Sequence, residues 1–152
     1  LQDVRTFVPD ASDIAAEDPD GGLWDADPDR CCFIRKVLPL QRALTGFDAW
    51  INGRKGHHGG RREGLPKIEA AGGRIKVNAL AAWTPADIAA YFAAADLPRH
   101  PLEADGFSSI GCMPCSSRTA PGEAARAGRW RGTGKTECGI HIDAADAAPR
   151  GE

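Results

Sequence analysis

Two pairs of cysteines constrain this chain more than any other feature. Cys31 and Cys32 are adjacent, Cys112 and Cys115 are split by two residues in "CMPC", and about 80 residues separate the pairs. Only tertiary folding can bring such pairs to one place. Three outcomes compete: thiols packed independently, a structural zinc, or an iron–sulfur cluster. A C-x-x-C turn presents two thiolates to almost any soft metal. The adjacent pair is more selective, because neighbouring helical side chains point about 100° apart. Zinc requires four sulfurs at about 2.3 Å from a single ion. A cubane spreads its irons over several Å, so adjacent cysteines can each take a different iron. The vicinal pair therefore favours a [4Fe–4S] cluster over zinc.

The fifth cysteine, Cys138, sits in "GKTECGIH" with Lys135 and His141 nearby and Gly139 beside it. Cations favour a thiolate and glycine loosens the backbone, which suits a nucleophile; Glu137 opposes this. The competing reading is an idle surface thiol. An odd cysteine count and no charged-then-apolar leader fit a reducing compartment, taken as the cytosol, where clustered cysteines bind metal or catalyse.

Composition limits the partners. A net charge of −2 over 152 residues gives no general attraction to nucleic acid or to an anionic membrane. No apolar run reaches the ~20 residues a membrane span needs. Basic residues are instead local, in "CCFIRK", "GRK", "GGRR" and "RAGRW". Beside thiols and glycine turns they suggest a pocket for a phosphate or sulfate. Aromatic interleaving of the kind that binds single strands is missing.

Strand and helix patterns alternate, which predicts an α/β domain. "VRTFVPD" (4–10) reads as a short β-rich run, and an acidic segment with a helix cap signal at Ser12 follows. "CCFIRKVLPLQRALTG" places Phe33, Val37, Leu40 and Leu44 at helical spacing, with Pro39 expected to kink or interrupt it. "FDAWINGRK" and "GRIKVNAL" read as strands, the second with Ile75 and Val77 alternating with charged partners. "TPADIAAYFAAADLP" is the clearest helix, with Thr84 as N-cap, Pro85 in the first turn, and Ile88, Tyr91 and Phe92 as its apolar face. Beyond Pro98 nearly everything reads as loop, and 143–152 as a flexible tail. Two or three strands make a poor sheet, so further strands are expected on the N-terminal side.

"CCFIRKVLPLQRAL", "WINGRK", "SIGCMPC", "RAGRW" and "KTECGIH", in this order, resemble the assimilatory adenylyl-sulfate reductases, the iron–sulfur branch of the PAPS/APS reductase family. The resemblance covers residues from about Val4 to Ile142. It implies the C-terminal part (1–142) of an adenine-nucleotide alpha-hydrolase-like, PP-loop type fold, whose Ser/Gly-rich phosphate loop precedes this region. It also implies a [4Fe–4S] cluster on Cys31, Cys32, Cys112 and Cys115, and Cys138 as nucleophile. Lys36 is similar to a lysine between cluster and substrate sulfate. Arg126, Arg129 and His141 match residues contacting the substrate anion, and Arg54 and Arg61 fall at basic positions lining the same site. The implied reaction is thioredoxin-dependent reduction of adenylyl sulfate to sulfite and AMP. Departures are His58 for a frequent glutamine, Ala79 for the proline of "NPL", Ser116 for threonine and Ala124 for an acidic residue. The rivals are a metal-stabilised, non-catalytic binding module and a reductase using the 3′-phosphorylated substrate or both. Homo-oligomerisation is left open.

Overall fold

A computed structural model describes residues 2–141; the tail expected over 143–152 lies outside them. The described residues divide into two compact units, one of 2–48, 71–74 and 137–141, the other of 49–70 and 75–136. Secondary structure mixes helices with one small sheet, as the α/β reading expects.

The first unit is helical. Residues 2–10 carry no regular secondary structure, so the β-rich run expected there is not a strand. Helix α1 (Ala11–Glu17) is capped by Asp10, whose Oδ1 accepts the Ser12 N–H at 2.9 Å. The cap therefore lies two residues before the expected Ser12. After α2 (Leu23–Ala26), α3 (Pro28–Cys32) starts from Asp27, which accepts from the N–H groups of Asp29 and Arg30. The helix does not break at Pro39. A π-turn, Phe33–Val37, links α3 to α4 (Leu38–Ala43), and the Leu38 N–H donates to the Phe33 carbonyl. Proline lacks an N–H, and in an α-turn its ring would press on the carbonyl four residues back; a wider turn relieves both problems. Cys31, Cys32, Ile34, Val37 and Pro39 are buried along this run.

The second unit holds β1 (Ala49–Asn52) and all but one residue each of β2 (Ile68–Ala71) and β3 (Arg74–Asn78), in the order β1-β3-β2. β1 and β3 run parallel, with Ala49 opposite Ile75 and Asn52 opposite Asn78. β2 is absent from the sequence-based reading. It is joined to β3 by Gly72 and Gly73, both at positive φ (58° and 72°), the two-residue geometry of a tight hairpin.

The buried face of β3 is the reverse of the one its pattern suggests. Ile75 is 51% exposed, whereas Lys76 is 2% and Asn78 0% exposed. The polar face can be buried because every charge on it is answered. Lys76 Nζ meets Glu69 Oε1 at 3.1 Å, and Asn78 Nδ2 donates to Glu69 and to the Pro66 carbonyl. Burial alone would raise the Glu69 pKa, but hydrogen bonds from Asn78 and Lys76 and the nearby cations hold it below its ordinary value.

Helix α5 (Pro85–Ala94) matches its prediction: Thr84 and Asp87 form a reciprocal capping box and Pro85 occupies the first turn. Its apolar face is only partly covered, with Tyr91 54% exposed and set edge-on to Trp83. A short α6 (Pro101–Ala104) interrupts the expected loop beyond Pro98.

Candidate functional site

In the first unit, α3 ends on the adjacent thiols, Cys31 and Cys32, both buried. One turn later Arg35 reaches back, its Nη1 3.9 Å from Cys31 Sγ, the i, i+4 reach of a helix. Asp18, itself buried, fixes that guanidinium through an Oδ2–Nη2 contact of 2.6 Å and accepts the Leu23 N–H at 2.9 Å. A positive charge is thus oriented at one of the paired sulfurs. Arg35 stood in the sequence only as part of a basic cluster; its helical offset from Cys31 was the available signal. Lys36 lies in the π-turn, half-buried. Cys138 and His141 are half-buried in the same unit. Beside Cys138, Gly139 adopts φ +85°, and a Cβ there would stand 3.3 Å from Val37 Cγ2. The segment carrying Cys138 therefore packs on the π-turn that carries Lys36.

In the second unit, "CMPC" forms a tight turn, with the Cys115 N–H donating to the Cys112 carbonyl at 3.0 Å. Cys115 is buried and Cys112 half-buried. Arg129 clamps this turn: Nε donates to the Cys115 carbonyl and Nη1 to the Ile110 carbonyl, each at 3.2 Å. Its guanidinium also lies over the buried Trp130 ring at 4.4 Å, and Arg126 lies over the same ring at 5.6 Å. A Cβ at Gly111 would fall 2.0 Å from Arg129 Nη2, so only glycine leaves room for the clamp. An antiparallel bridge, Ser116 to Arg129, completes the arrangement, with the Ser117 N–H donating to the Gly128 carbonyl at 2.8 Å. At Gly128 a Cβ would meet the Ser117 carbonyl oxygen at 2.1 Å. Gly128→Ala must move backbone, and we expect it to cost about 2–4 kcal/mol, read from urea unfolding.

Of the remaining predicted basic residues, Arg54 is buried and ion-paired to Glu69 at 3.0 Å, with Nε 3.4 Å from Asn78 Oδ1. Arg61 is exposed on the 3-10 turn Gly60–Arg62. Arg126 Nη2 donates to the Thr136 carbonyl at 2.9 Å. His58, on the preceding 3-10 turn Gly56–His58, is pushed down to about 4 by burial first, then by His57, Lys55, Arg62 and Arg126. Its folded pKa lies below the ordinary 6.5, so its neutral form costs nothing above pH 6.5. Below that the unfolded chain takes up a proton that the folded chain refuses. Stability should fall between about pH 6.5 and 4 by about 1–2 kcal/mol after discounting for water access. His58→Gln should flatten that part of the Tm-against-pH curve.

All five cysteines are thiols without disulfides, and one pair lies in each unit. Among the described residues no group of three or more His, Cys, Asp or Glu is placed to hold a metal ion. The donor chemistry nevertheless fits an iron–sulfur group: soft sulfurs, three of four buried, with a cation aimed at one.

An α/β chain with such thiol turns and basic loops has known counterparts. Residues 3–118 match the profile of the phosphoadenosine phosphosulfate reductase domain, and the chain belongs to this family. It is 49% identical over 97% of its length to an adenosine 5'-phosphosulfate reductase of Chelativorans sp. (strain BNC1). It is 46% identical over 78% of its length to a phosphoadenosine 5'-phosphosulfate reductase of Gloeobacter violaceus. It spans 60% and 51% of those two proteins. The crystal structure of a phosphoadenylyl-sulfate reductase from Candida auris, a phosphate complex, superposes with a TM-score of 0.54 at 31% identity, covering 74% of this chain and 53% of the other. The fold is thus of the PAPS reductase type. No helix among the described residues is long and apolar enough to cross a membrane.

Proposed function

We propose that the protein containing this chain reduces adenylyl sulfate to sulfite and AMP, with a dithiol protein of the thioredoxin kind as electron donor. The observation that carries the reading is the packing of the Cys138 segment on the π-turn: Gly139 stands against Val37, on the turn that carries Lys36 and directly follows Cys31 and Cys32 in the chain. A candidate nucleophile and a candidate sulfate-binding cation then belong to one unit of a reductase-family chain.

The chemistry balances with these residues. The Cys138 thiolate attacks the sulfuryl sulfur, an S–S bond forms, the S–O bond to phosphate breaks, and AMP leaves with the electron pair. The enzyme is left as an S-sulfocysteine. A donor thiolate then attacks Cys138 Sγ and sulfite leaves with the bonding pair. The donor's second thiol resolves the mixed disulfide, so the dithiol supplies both electrons. Phosphate is a good leaving group, so the main barrier is an anion approaching an anion. Lys36, Arg54, Arg61, Arg126, Arg129 and His141, the residues the resemblance assigns to substrate, would offset that repulsion. Cys31, Cys32, Cys112 and Cys115 would hold a [4Fe–4S] cluster, which when bound supplies positive iron and a covalent tie between helix and turn.

The test is direct. Intact protein purified without oxygen should hold about four irons and four sulfides per chain. It should release sulfite from adenylyl sulfate with a dithiol donor, and far less from the 3′-phosphorylated analogue. Zinc without sulfide, and no sulfite, would overturn the reading in favour of a metal-stabilised binding module.

A further inference from the structure

Two adjacent acids close the first helical segment, and each holds an arginine that flanks the cysteine pair. Glu17, the last residue of α1, accepts from Nε and Nη2 of Arg30, the residue before Cys31. Asp18, its C-cap, pairs with Arg35, three residues beyond Cys32. The two pairs are not equivalent. Arg30 turns its fork onto one carboxylate and lies over the Phe33 ring at 5.1 Å, the arrangement of a brace between α1 and α3. Arg35 splits its fork instead. Its Nη2 meets Asp18 Oδ2 at 2.6 Å, and its Nη1 lies 3.9 Å from Cys31 Sγ.

Asp18 is the fixed member of its pair. Its side chain is 4% exposed against 28% for Arg35. Oδ1 accepts the Leu23 N–H at 2.9 Å, at the start of α2. Its own N–H donates to the Ile14 carbonyl at 2.9 Å, and its carbonyl accepts the Gly21 N–H at 3.2 Å. A carboxylate tied at backbone and side chain alike cannot follow a moving arginine, so the arginine must come to it. Stability alone is a poor reason for such a pair, because an apolar pair of similar size in the same place would hold the chain about as well. What the pair supplies is direction. A long, partly exposed arginine has several rotamers open to it, and one contact at Nη2 leaves Nη1 aimed at the sulfur.

We propose that Asp18 is a positioning residue for the metal ligand Cys31: it holds Arg35 so that one N–H faces the Cys31 sulfur, and this slows loss of the metal group that the sulfur binds. The nature of that group, a [4Fe–4S] cluster, rests on the reductase reading; the orientation of Arg35 rests on the ion pair alone. Hydrogen bonds to ligand sulfurs and the residues behind a ligand set how firmly a metal is kept and how its electrons are distributed. Lysine could not replace Arg35, since a single ammonium lacks the planar fork that reaches carboxylate and sulfur together. Glu17 has no such part, because the arginine it holds makes a brace and not a bridge to a thiol. No bond to Asp18 or Arg35 forms or breaks.

The test uses the intact natural protein, purified without oxygen, and two readouts: the rate at which a chelator removes iron, and the Fe–S(Cys) stretching bands in the resonance Raman spectrum. Asp18→Asn keeps the shape and an oxygen for the Leu23 N–H but loses the charge that holds Arg35. Iron loss should quicken about tenfold. The stretching bands should move to higher frequency, because a hydrogen bond on a thiolate weakens its bond to iron. Arg35→Lys, at a partly exposed position that tolerates the change, should reproduce both effects, and the double variant should be no worse than either single one. Glu17→Gln, which releases only Arg30, should match wild type in both readouts. Wild-type iron loss and bands in Arg35→Lys or in a folded Asp18→Asn overturn the proposal, as do effects that multiply in the double variant. Such a result with sulfite release intact sinks the role of Asp18 and spares the reductase reading. Zinc without sulfide in the wild-type protein does the reverse: the reductase reading falls, and faster zinc release from Asp18→Asn and Arg35→Lys still upholds Asp18.

Discussion

Cys138→Ser is expected to lower sulfite release from adenylyl sulfate by about a thousandfold or more while leaving iron content and Tm at wild-type values. Serine has nearly the same shape, so the packing of Gly139 against Val37 should survive. What is lost is the anion: a thiol gives usable thiolate near neutrality, and an alcohol without a base does not. The same variant separates Cys138 from its nearest competitor. Of the five thiols only Cys112 and Cys138 are not buried, so Cys112 is the one other sulfur open to attack. S-sulfonated peptide from wild-type protein mixed with adenylyl sulfate should carry the group on Cys138 alone. Sulfonate on Cys112, or sulfite release by Cys138→Ser at a tenth of wild type, would move the nucleophile to the C-x-x-C turn.

What could be seen in the sequence follows from how local each signal is. The α5 cap was legible because Thr84, Pro85 and Asp87 act within one turn. β2 was not, because "IEAA" has a single β-favouring residue and gains its conformation from pairing with β3. The same limit explains residues 4–10: β-rich composition makes no strand without a partner strand. On β3, alternation gave a strand but not the face that lies inward. An apolar residue is assumed to point inward, and only the network of Glu69, Asn78 and Arg54 makes an inward Lys76 affordable.

The site was legible as chemistry and not as geometry. The cysteines, Lys36 and the basic clusters were found by residue type and spacing. Their allegiances needed coordinates. Arg54 is committed to Glu69, Arg35 is turned by Asp18 onto Cys31, and Arg126 and Arg129 share the face of Trp130. Arg35 with Cys31, and Arg126 and Arg129 with Trp130, are local pairings within four residues; Arg54 with Glu69 and Arg35 with Asp18 depend on where the chain returns.

Arg129 is where those two kinds of reading part most sharply, and Arg129→Ala should show it. A residue acting only as a cation for substrate would lose affinity for adenylyl sulfate and little else. Arg129 instead satisfies the carbonyls of Ile110 and Cys115, which bracket the "CMPC" turn. Removing it strands the Ile110 carbonyl, leaves the Cys115 carbonyl with the Trp130 N–H alone, and uncovers Trp130, a loss of about 1–3 kcal/mol in urea unfolding. Amide exchange across 111–117 should quicken, and iron affinity should fall about tenfold or more, as when support behind a metal ligand is removed. Arg129→Lys separates the roles, because it keeps the charge and loses the planar fork that spans two carbonyls. If the clamp matters, lysine should bind iron as poorly as alanine does. Gly111→Ala offers an independent route to the same end, since its methyl group takes the space of Arg129 Nη2 and displaces the guanidinium without deleting it. Iron retained at wild-type affinity in Arg129→Ala and Gly111→Ala alike would return Arg129 to a role in substrate binding alone.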